Sequence, residues 1–396
     1  MDLVLNNPIL STYNRFPISF IKGNGSWLVA DSGEKYLDFG SGIAVTCLGH
    51  AHPKLVAVLQ NQAEMLWHTS NLFRIPGQEE LAKKITDNTF ADKVFFTNSG
   101  TESIECAIKM ARKYHFEKGS VKKTRIVTFE GSFHGRSMAA ISSSGAEKLV
   151  KGFYPLLGGF DTISIGDSNQ LLESVNDETA AILIEPIIGE GGIREVPKEF
   201  LRFLRKVCDE HNLLLIFDEI QSGVGRSGKF FAHEFSGVKP DIVTVAKGLG
   251  GGFPMGACLS TNQASFGMNI GSHGSTYGGN PLACSVALAV LDEIYSDGFL
   301  ETVQKKSGIL MKELEILVNN HPKIFQGISG LGLMIGLKCS IENTLVIKQS
   351  LENFLILVPC GENMVRLLPP LNITEEDLLE GLSRLDIVAK DLEKGL

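Results

Sequence analysis

The sequence contains no apolar run near the roughly 20 residues that span a bilayer, and its first residues show no signal-peptide pattern. It has no run of five or six like charges, and its formal net charge of −8 is modest for 396 residues. The basic stretch at 122–125 is short and precedes an apolar run, which is typical of a solvated loop. A nucleic-acid footprint requires a larger basic face. We therefore expect a soluble protein that binds neither membrane nor nucleic acid.

No C-x-x-C pair occurs among the seven cysteines, which are widely spaced along the chain. An odd number at this spacing predicts reduced thiols in a cytoplasmic protein rather than a disulfide framework. His50 and His52 stand close together, but no set of cysteine or carboxylate ligands lies nearby and Pro53 follows. We expect a turn with partly buried histidines there, and no metal site.

Short apolar runs alternate with helical patterns over the first two thirds of the chain. Five of these runs predict strands: 93–96, 125–129, 180–184, 213–217 and 241–246. Apolar residues at helical spacing over 198–211 separate the third run from the fourth, which predicts a parallel βαβ unit with a right-handed crossover. Because the runs are nearly continuous rather than alternating, we expect helices to cover both faces of the sheet.

The pattern changes near residue 282. A long helical pattern at 282–295 precedes apolar strands near 331–337, 355–358 and 363–368 and a terminal amphipathic helix. We expect an α/β protein with three parts. Residues 1–50 form a segment that joins the smaller domain, 51–285 form a large domain around a mostly parallel sheet, and 286–396 form the smaller α/β domain.

Two phosphate-binding motifs occur in weak form near residue 223. Residues 223–228 match G-x-G-x-x-G, but 229–233 do not begin a convincing helix. The same glycines nearly form a P-loop, but Phe230 stands where Ser or Thr would bind magnesium. We expect neither a dinucleotide nor a nucleoside triphosphate at this position.

Polar residues that follow three of the predicted strands indicate a ligand site, since open parallel sheets bind ligands where their strands end. Ser99, Gly100 and Thr101 stand at a helix N-terminus, where free N–H groups could hold a phosphate; ordinary helix capping is the alternative. Asp218 ends an apolar strand and requires a cation or hydrogen bonds, which a ligand's ring nitrogen or a structural salt bridge could supply.

Lys247 follows another apolar strand and precedes four glycines and a leucine over 248–252. Poor solvation there would lower its pKa toward the neutral, nucleophilic amine, although a lysine can also extend its ammonium to solvent. A phosphate-binding turn, a carboxylate and a lysine 29 residues after it (247 − 218) together are the parts of a pyridoxal phosphate (PLP) site.

At these positions, and along nearly the whole chain, the sequence resembles the class III aminotransferases of the fold-type I PLP-dependent superfamily. The matching motifs are Leu37-Asp38-Phe39, Gly49-His50-Ala51-His52-Pro53, Asn98-Ser99-Gly100-Thr101-Glu102-Ser103, Phe133-His134-Gly135-Arg136, Glu185-Pro186, Gly189-Glu190-Gly191-Gly192, Asp218-Glu219-Ile220-Gln221-Ser222-Gly223, Lys247-Gly248-Leu249 and Gly274-Ser275-Thr276.

The resemblance implies roles for the cofactor-binding residues. Lys247 carries PLP as a Schiff base and then transfers protons, and Asp218 pairs with the pyridinium nitrogen. Gln221 binds the phenolic oxygen, and Phe133 stacks on one ring face. Gly100 and Thr101 bind the phosphate. By the same resemblance, Thr276 reaches the cofactor phosphate of a partner subunit in an obligate homodimer.

The resemblance also implies how substrates are held. Arg366 binds the α-carboxylate of 2-oxoglutarate, and Glu190 masks Arg366 while an ω-amino donor is bound. Arg136 and Ser275 hold the distal carboxylate of that donor; a surface ion pair is the alternative for either arginine. Ile43 replaces the tyrosine of ornithine aminotransferases, and Ile188 replaces a frequent glutamine. An aminomutase or a non-catalytic regulator of the same fold remains a further alternative.

Overall fold

The computed structural model describes residues 8–395. Residues 1–7 and residue 396, which belong to the two expected terminal segments, lie outside the described residues. The strands are β1 (Phe20–Asn24), β2 (Trp27–Ala30), β3 (Lys35–Asp38), β4 (Lys93–Thr97), β5 (Arg125–Phe129), β6 (Phe160–Ile163), β7 (Thr179–Ile184), β8 (Ile187–Ile188), β9 (Arg194–Glu195), β10 (Leu214–Asp218), β11 (Ile242–Val245), β12 (Gly256–Ser260), β13 (Phe325–Leu331), β14 (Met334–Cys339), β15 (Leu355–Ile356), β16 (Val358–Cys360) and β17 (Met364–Leu367).

The helices begin and end between these strands. They are α1 (Ser41–Ala44), α2 (Pro53–Ala63), α3 (Pro76–Asn88), α4 (Gly100–Glu117), α5 (Met138–Ser144), α6 (Glu147–Val150), α7 (Ser168–Ser174), α8 (Lys198–His211), α9 (Pro281–Ile294), α10 (Phe299–Asn320), α11 (Asn343–Glu352) and α12 (Glu375–Lys394), with short 3₁₀ turns at Ala232–Ser236 and Lys247–Gly250. None of the helices within residues 8–395 has both the length and the apolar composition that a membrane crossing requires.

A seven-stranded sheet in the order β4-β12-β11-β10-β7-β5-β6 forms the centre of the molecule. All five predicted strands lie in it, and the predicted helix at 198–211 is α8. Six strands run in one direction, whereas β12 is antiparallel to both of its neighbours. Strands β7 and β10 are buried at every residue, as expected for a sheet covered on both faces. The α/β fold predicted from the sequence is confirmed.

The C-terminal part contains a four-stranded antiparallel sheet, β13-β14-β17-β16. The strand predicted near 331–337 corresponds to β14 but was predicted to begin too early, because the chain reverses at Gly332 and Leu331 ends the preceding strand β13 of the hairpin. Gly332 has a positive φ of +66°, and a Cβ there would lie 2.4 Å from the carbonyl carbon of Ser227. The strand predicted at 355–358 is two short strands, β15 and β16, in different sheets.

Strand β15 pairs in parallel with β3 and so connects the N-terminal segment to the C-terminal part. This pairing supports our proposal that residues up to 50 join the smaller domain, with 51–285 and 286–396 as the other two units. Within residues 223–228, Arg226 is buried and donates hydrogen bonds to the carbonyls of Leu333 (3.0 Å) and Pro369 (2.5 Å). The glycine-rich stretch therefore joins the two parts.

The predicted turn with histidines is present. His50 Nε2 lies 2.8 Å from Asp38 Oδ2, and both histidines are partly buried. Within residues 8–395, no group of three or more His, Cys, Asp or Glu side chains could hold a metal ion. All seven cysteines are free thiols.

Candidate active site

A cavity of about 330 Å³ opens where β10 and β11 end. Asp218, the last residue of β10, lies opposite Thr244 of β11 in the parallel ladder, and Lys247 follows three residues later. Because the two strands are neighbours and end at the same edge, these two side chains reach the same space. The predicted site residues that line the cavity are Gly100, Thr101, Phe133, Glu190, Asp218, Gln221 and Lys247.

The Asp218 carboxylate is buried and hydrogen-bonded on both oxygens. His134 Nδ1 lies 2.7 Å from Oδ2, and the Ile220 amide (3.0 Å) and the Thr244 hydroxyl (3.3 Å) donate to Oδ1. Burial opposes the charge on His134, but the hydrogen bond and the charge of Asp218 raise the pKa of the imidazole. His134 therefore holds its proton more readily than a free imidazole does, and its ring gives the buried Asp218 carboxylate a hydrogen-bonded partner. Such a carboxylate can stabilise a protonated ring nitrogen.

Lys247 lies at the start of the short turn after β11 and has a left-handed φ of +46°. A non-glycine residue rarely adopts this conformation unless its surroundings impose it, and functional sites are a frequent place for it. Burial lowers the pKa of the Lys247 amine to about 8, although the Glu190 carboxylate acts in the opposite direction. The amine therefore has a larger neutral fraction near neutral pH than an ordinary lysine, which makes it a better nucleophile and proton acceptor.

The N-terminus of α4 faces the cavity at Gly100 and Thr101. Ser99 caps the helix by accepting a hydrogen bond from the Glu102 amide (3.3 Å), so the capping interpretation is correct for Ser99. The amides of the first helical residues precede the first intrahelical hydrogen bond and carry the positive end of the helix dipole. Thr101 adds a hydroxyl, so this end of the cavity can bind a phosphate.

Glu185 also lines the cavity, at the end of β7, and reasoning from the sequence assigned it no function. Its Oε1 accepts a hydrogen bond from the Phe133 amide (2.8 Å) and its Oε2 accepts one from the Gly189 amide (3.0 Å). Burial and the nearby charge of Asp218 raise the pKa of Glu185 to about 7. Like Asp218, it is a carboxylate at the end of an apolar strand, and this pattern could have identified it.

Arg366, on β17, lies behind the cavity wall and is completely buried. Its Nη1 donates to Glu190 Oε1 (2.5 Å) and to Gln221 Oε1 (3.1 Å), and its Nη2 donates to Glu190 Oε2 (3.1 Å). Burial opposes the charge on Glu190, but the Arg366 guanidinium lowers the pKa of that carboxyl. Arg366 and Glu190, which the resemblance pairs as the substrate-carboxylate site and its mask, therefore form a two-pronged ion pair. The Glu190 carboxylate lies on the cavity side.

Besides Arg366, three predicted residues do not line the cavity of this chain. Arg136 is exposed and lies with its Cζ 5.5 Å from the centre of the Phe133 ring. Ser275 does not line the cavity, and its Oγ accepts hydrogen bonds from the Gly278 amide (2.9 Å) and the Asn98 side chain (3.3 Å). Thr276 is exposed. Ile43 is also exposed, and Val45 lines the wall instead.

The cavity suits PLP by the chemistry of its donors. It offers a carboxylate hydrogen-bonded to a buried histidine, an amine of lowered pKa, and unpaired amides at a helix N-terminus. Within the described residues, Lys247 Nζ has no hydrogen-bond partner, so the amine is available to a ligand. The residues present therefore fit a planar phosphorylated pyridine.

Comparison with known proteins gives the same result. The model of the family described as aminotransferase class-III matches residues 10–388. An acetylornithine aminotransferase of Mesorhizobium japonicum is 53% identical over 384 residues, which cover 97% of this chain and 96% of the relative.

Two solved structures are similar over nearly their full lengths. The N-acetylornithine aminotransferase of Stenotrophomonas maltophilia K279a has a TM-score of 0.86 at 35% identity, with 97% of this chain and 98% of that chain covered. The ornithine aminotransferase of Toxoplasma gondii ME49 has a TM-score of 0.94 at 29% identity, with 98% and 94% covered. The chain belongs to the class III aminotransferases and is a PLP-dependent transaminase.

Proposed function

We propose that the enzyme moves the terminal amino group of N2-acetylornithine to 2-oxoglutarate. The products would be N-acetylglutamate 5-semialdehyde and glutamate, as in arginine biosynthesis. The Arg366–Glu190 pair carries this proposal, because a masked arginine suits an enzyme that alternates between two carboxylate substrates of different length. The name of the relative that is 53% identical supports acetylornithine as the donor.

In the proposed mechanism, Asp218, Gln221, Phe133, Gly100 and Thr101 hold the cofactor. When bound, PLP supplies an electron-poor ring that accepts the electron pair released at the substrate carbon. Asp218, with His134 behind it, keeps a positive charge on the ring nitrogen favourable. Gln221 would bind the phenolic oxygen, and Phe133 would cover one ring face; both line the cavity. Lys247 is the base, since its lowered pKa lets it take a proton from the substrate carbon and return it.

The two half-reactions require different positions of the Glu190 carboxylate. With the amino donor bound, Glu190 neutralises Arg366 and leaves the inner end of the cavity without a free cation. With 2-oxoglutarate or glutamate bound, the α-carboxylate takes the place of Glu190 on the Arg366 guanidinium, whose planar fork fits a carboxylate in two-pronged fashion. In the donor half-reaction, Arg136 and Ser275 would bind the distal carboxylate of the donor.

We also propose that the enzyme is a homodimer with shared active sites. Ser275 and Thr276 lie outside the cavity of their own chain, which is what a contribution to a partner's site requires. Beside them lies an exposed apolar patch of Met65, Leu66, Trp67, Leu72, Phe73 and Tyr277. Asn71 Nδ2 joins the two regions by donating to the Ser275 carbonyl (3.0 Å). Contiguous exposed apolar surface of this kind favours a protein interface.

A panel of amino donors at fixed 2-oxoglutarate tests the proposed function. We expect glutamate to form fastest with N2-acetylornithine, and slowly with ornithine, succinylornithine, succinyldiaminopimelate and 4-aminobutyrate. Turnover of 4-aminobutyrate without turnover of acetylornithine would reject the assignment. Turnover without any oxo-acid would indicate an aminomutase instead. The free cysteines support a cytoplasmic location, which fractionation of cells would check.

A further inference from the structure

The segment of residues 189–193, here called the switch loop, carries Glu190 between two other parts of the chain. On one side lies the turn after β5, at Gly131, and on the other lies the turn between β16 and β17, at Gly361. The second turn belongs to the same sheet as Arg366 on β17. The position of the Glu190 backbone relative to Arg366 thus depends on how this loop is held.

Three backbones cross at glycines with no space for a side chain. A Cβ on Gly191 would lie 2.1 Å from the Gly131 carbonyl oxygen. A Cβ on Gly361 would lie 2.7 Å from the Gly191 carbonyl carbon and 3.0 Å from the Glu190 carbonyl oxygen. The Gly361 amide also donates a hydrogen bond to that same Glu190 carbonyl (2.9 Å). Because the obstructing atoms are backbone, they cannot move aside as the end of a flexible side chain can.

The far end of the switch loop is attached to the β13–β14 hairpin. Ile193 is completely buried above two glycines of this hairpin: a Cβ on Gly330 would lie 2.8 Å from Ile193 Cγ2, and one on Gly336 would lie 2.7 Å from Ile193 Cβ. The Ser329 hydroxyl donates a hydrogen bond to the Ile193 carbonyl. The loop is therefore attached to the sheet that carries Arg366 at Glu190 itself and again at Ile193.

We propose that Gly361, through its close contact with Gly191, is a positioning residue that sets the discrimination between the two substrates. This inference rests on the proposed function, in which Glu190 masks Arg366. With its backbone fixed, Glu190 moves only its side chain when a substrate carboxylate binds Arg366. The Glu190 carboxylate then returns each time to its two hydrogen bonds with Arg366. Displacement of the backbone would weaken the hydrogen bonds that Glu190 re-forms with Arg366. Arg366 would then stay unmasked while the amino donor is bound.

The variant Gly361→Ala tests the positioning role. Gly361 does not have a positive φ, so alanine adds a clash without backbone strain. We expect kcat/KM for the amino donor to fall about tenfold, mainly through KM, because a displacement near 1 Å can cost that much or more. We expect kcat/KM for 2-oxoglutarate to change less than about threefold, since Arg366 itself is unchanged.

Gly327→Ala is the matched control, since Gly327 lies on β13 of the same sheet and its nearest neighbour for a Cβ is 4.0 Å away. It should leave both values unchanged. Ser329→Ala, which removes only the hydroxyl bound to the Ile193 carbonyl, should produce a smaller shift in the same direction and keeps the test valid if Gly361→Ala does not fold.

Deuterium uptake by the peptide that spans 186–196 gives a readout independent of activity. It should rise in Gly361→Ala and stay at the wild-type level in Gly327→Ala. Equal losses for donor and 2-oxoglutarate, or increased uptake with no change in their ratio, would overturn the proposal. Failure of the proposed function is a separate outcome, in which the wild-type enzyme does not use acetylornithine. The ratio of kcat/KM for donor and 2-oxoglutarate can still be measured with any donor that the enzyme does use.

Discussion

His134 Nδ1 lies 2.7 Å from Asp218 Oδ2, and both side chains are buried. A carboxylate in such a place is stable when a cation or hydrogen bonds compensate it, and here the His134 ring supplies one of those contacts. His134 is thus a part of the site that acts through Asp218.

This contact makes folding stability depend on pH. Burial opposes protonation of His134, but Asp218 raises the pKa of the folded imidazole above 6.5. The stabilisation is therefore fully present below about pH 6.5 and is lost as the pH rises through the raised pKa. We expect His134→Asn to lower the free energy of unfolding of the apoenzyme by about 1.5–3 kcal/mol near pH 6. Near pH 9 the difference in the free energy of unfolding between wild type and His134→Asn should be smaller. Urea titrations at both pH values measure this difference. A loss that grows with pH would contradict this assignment.

The lowered pKa of Lys247 predicts how the apoenzyme takes up its cofactor. The neutral amine is the reactive form, and its pKa is about 8. The rate at which visible absorption appears after mixing with PLP should rise through about pH 8 and then level off. A rate that continues to rise toward about pH 10.5, where an ordinary lysine titrates, would contradict the prediction. Lys247→Ala should show no band, and exposed Lys83→Ala should behave as wild type.

Removal of the Arg366 guanidinium should separate the two substrates. In Arg366→Ala we expect KM for 2-oxoglutarate and for glutamate to rise about 30-fold or more, because loss of one partner of a buried charge pair costs about 2–5 kcal/mol. The KM for acetylornithine should change much less. Arg202→Ala is the control, since Arg202 is exposed and pairs with exposed Glu199. Equal losses for all three substrates would show that Arg366 is only structural.

The exposed apolar patch predicts a dimer that a single charge can disrupt. Leu72 is 88% exposed in one chain, so Leu72→Arg should not disturb the fold of the chain itself. In sedimentation experiments it should convert dimers to monomers and reduce retention of PLP, because the Thr276 contact is lost with the partner. Ile316→Arg, on the surface of α10, should leave both unchanged. A Leu72→Arg enzyme that remains dimeric would place the interface elsewhere.

The sheet at the centre was predictable because its strands are apolar throughout and have a recognisable length. Strands β6 and β12 were missed; the sequence of β12, Gly256-Ala257-Cys258-Leu259-Ser260, contains no β-branched residue and so gives little strand signal. Strand β13 was missed and the start of β14 was misplaced, because the turn at Gly332 that separates them is set by contact with the backbone of Ser227, which is distant in sequence. Local pattern carries no information about such contacts.

The sequence by itself determined which chemical groups this protein has and at which strand ends they stand, because Asp218 and Lys247 each follow an apolar run. The tertiary structure decided which of these groups share one space. It placed Arg366 behind Glu190 and Gln221, put His134 against Asp218, and left Arg136, Ser275 and Thr276 outside the cavity of their own chain. These contacts join residues 84 to 176 positions apart, so they depend on the packing of sheets and turns, and no local pattern encodes them.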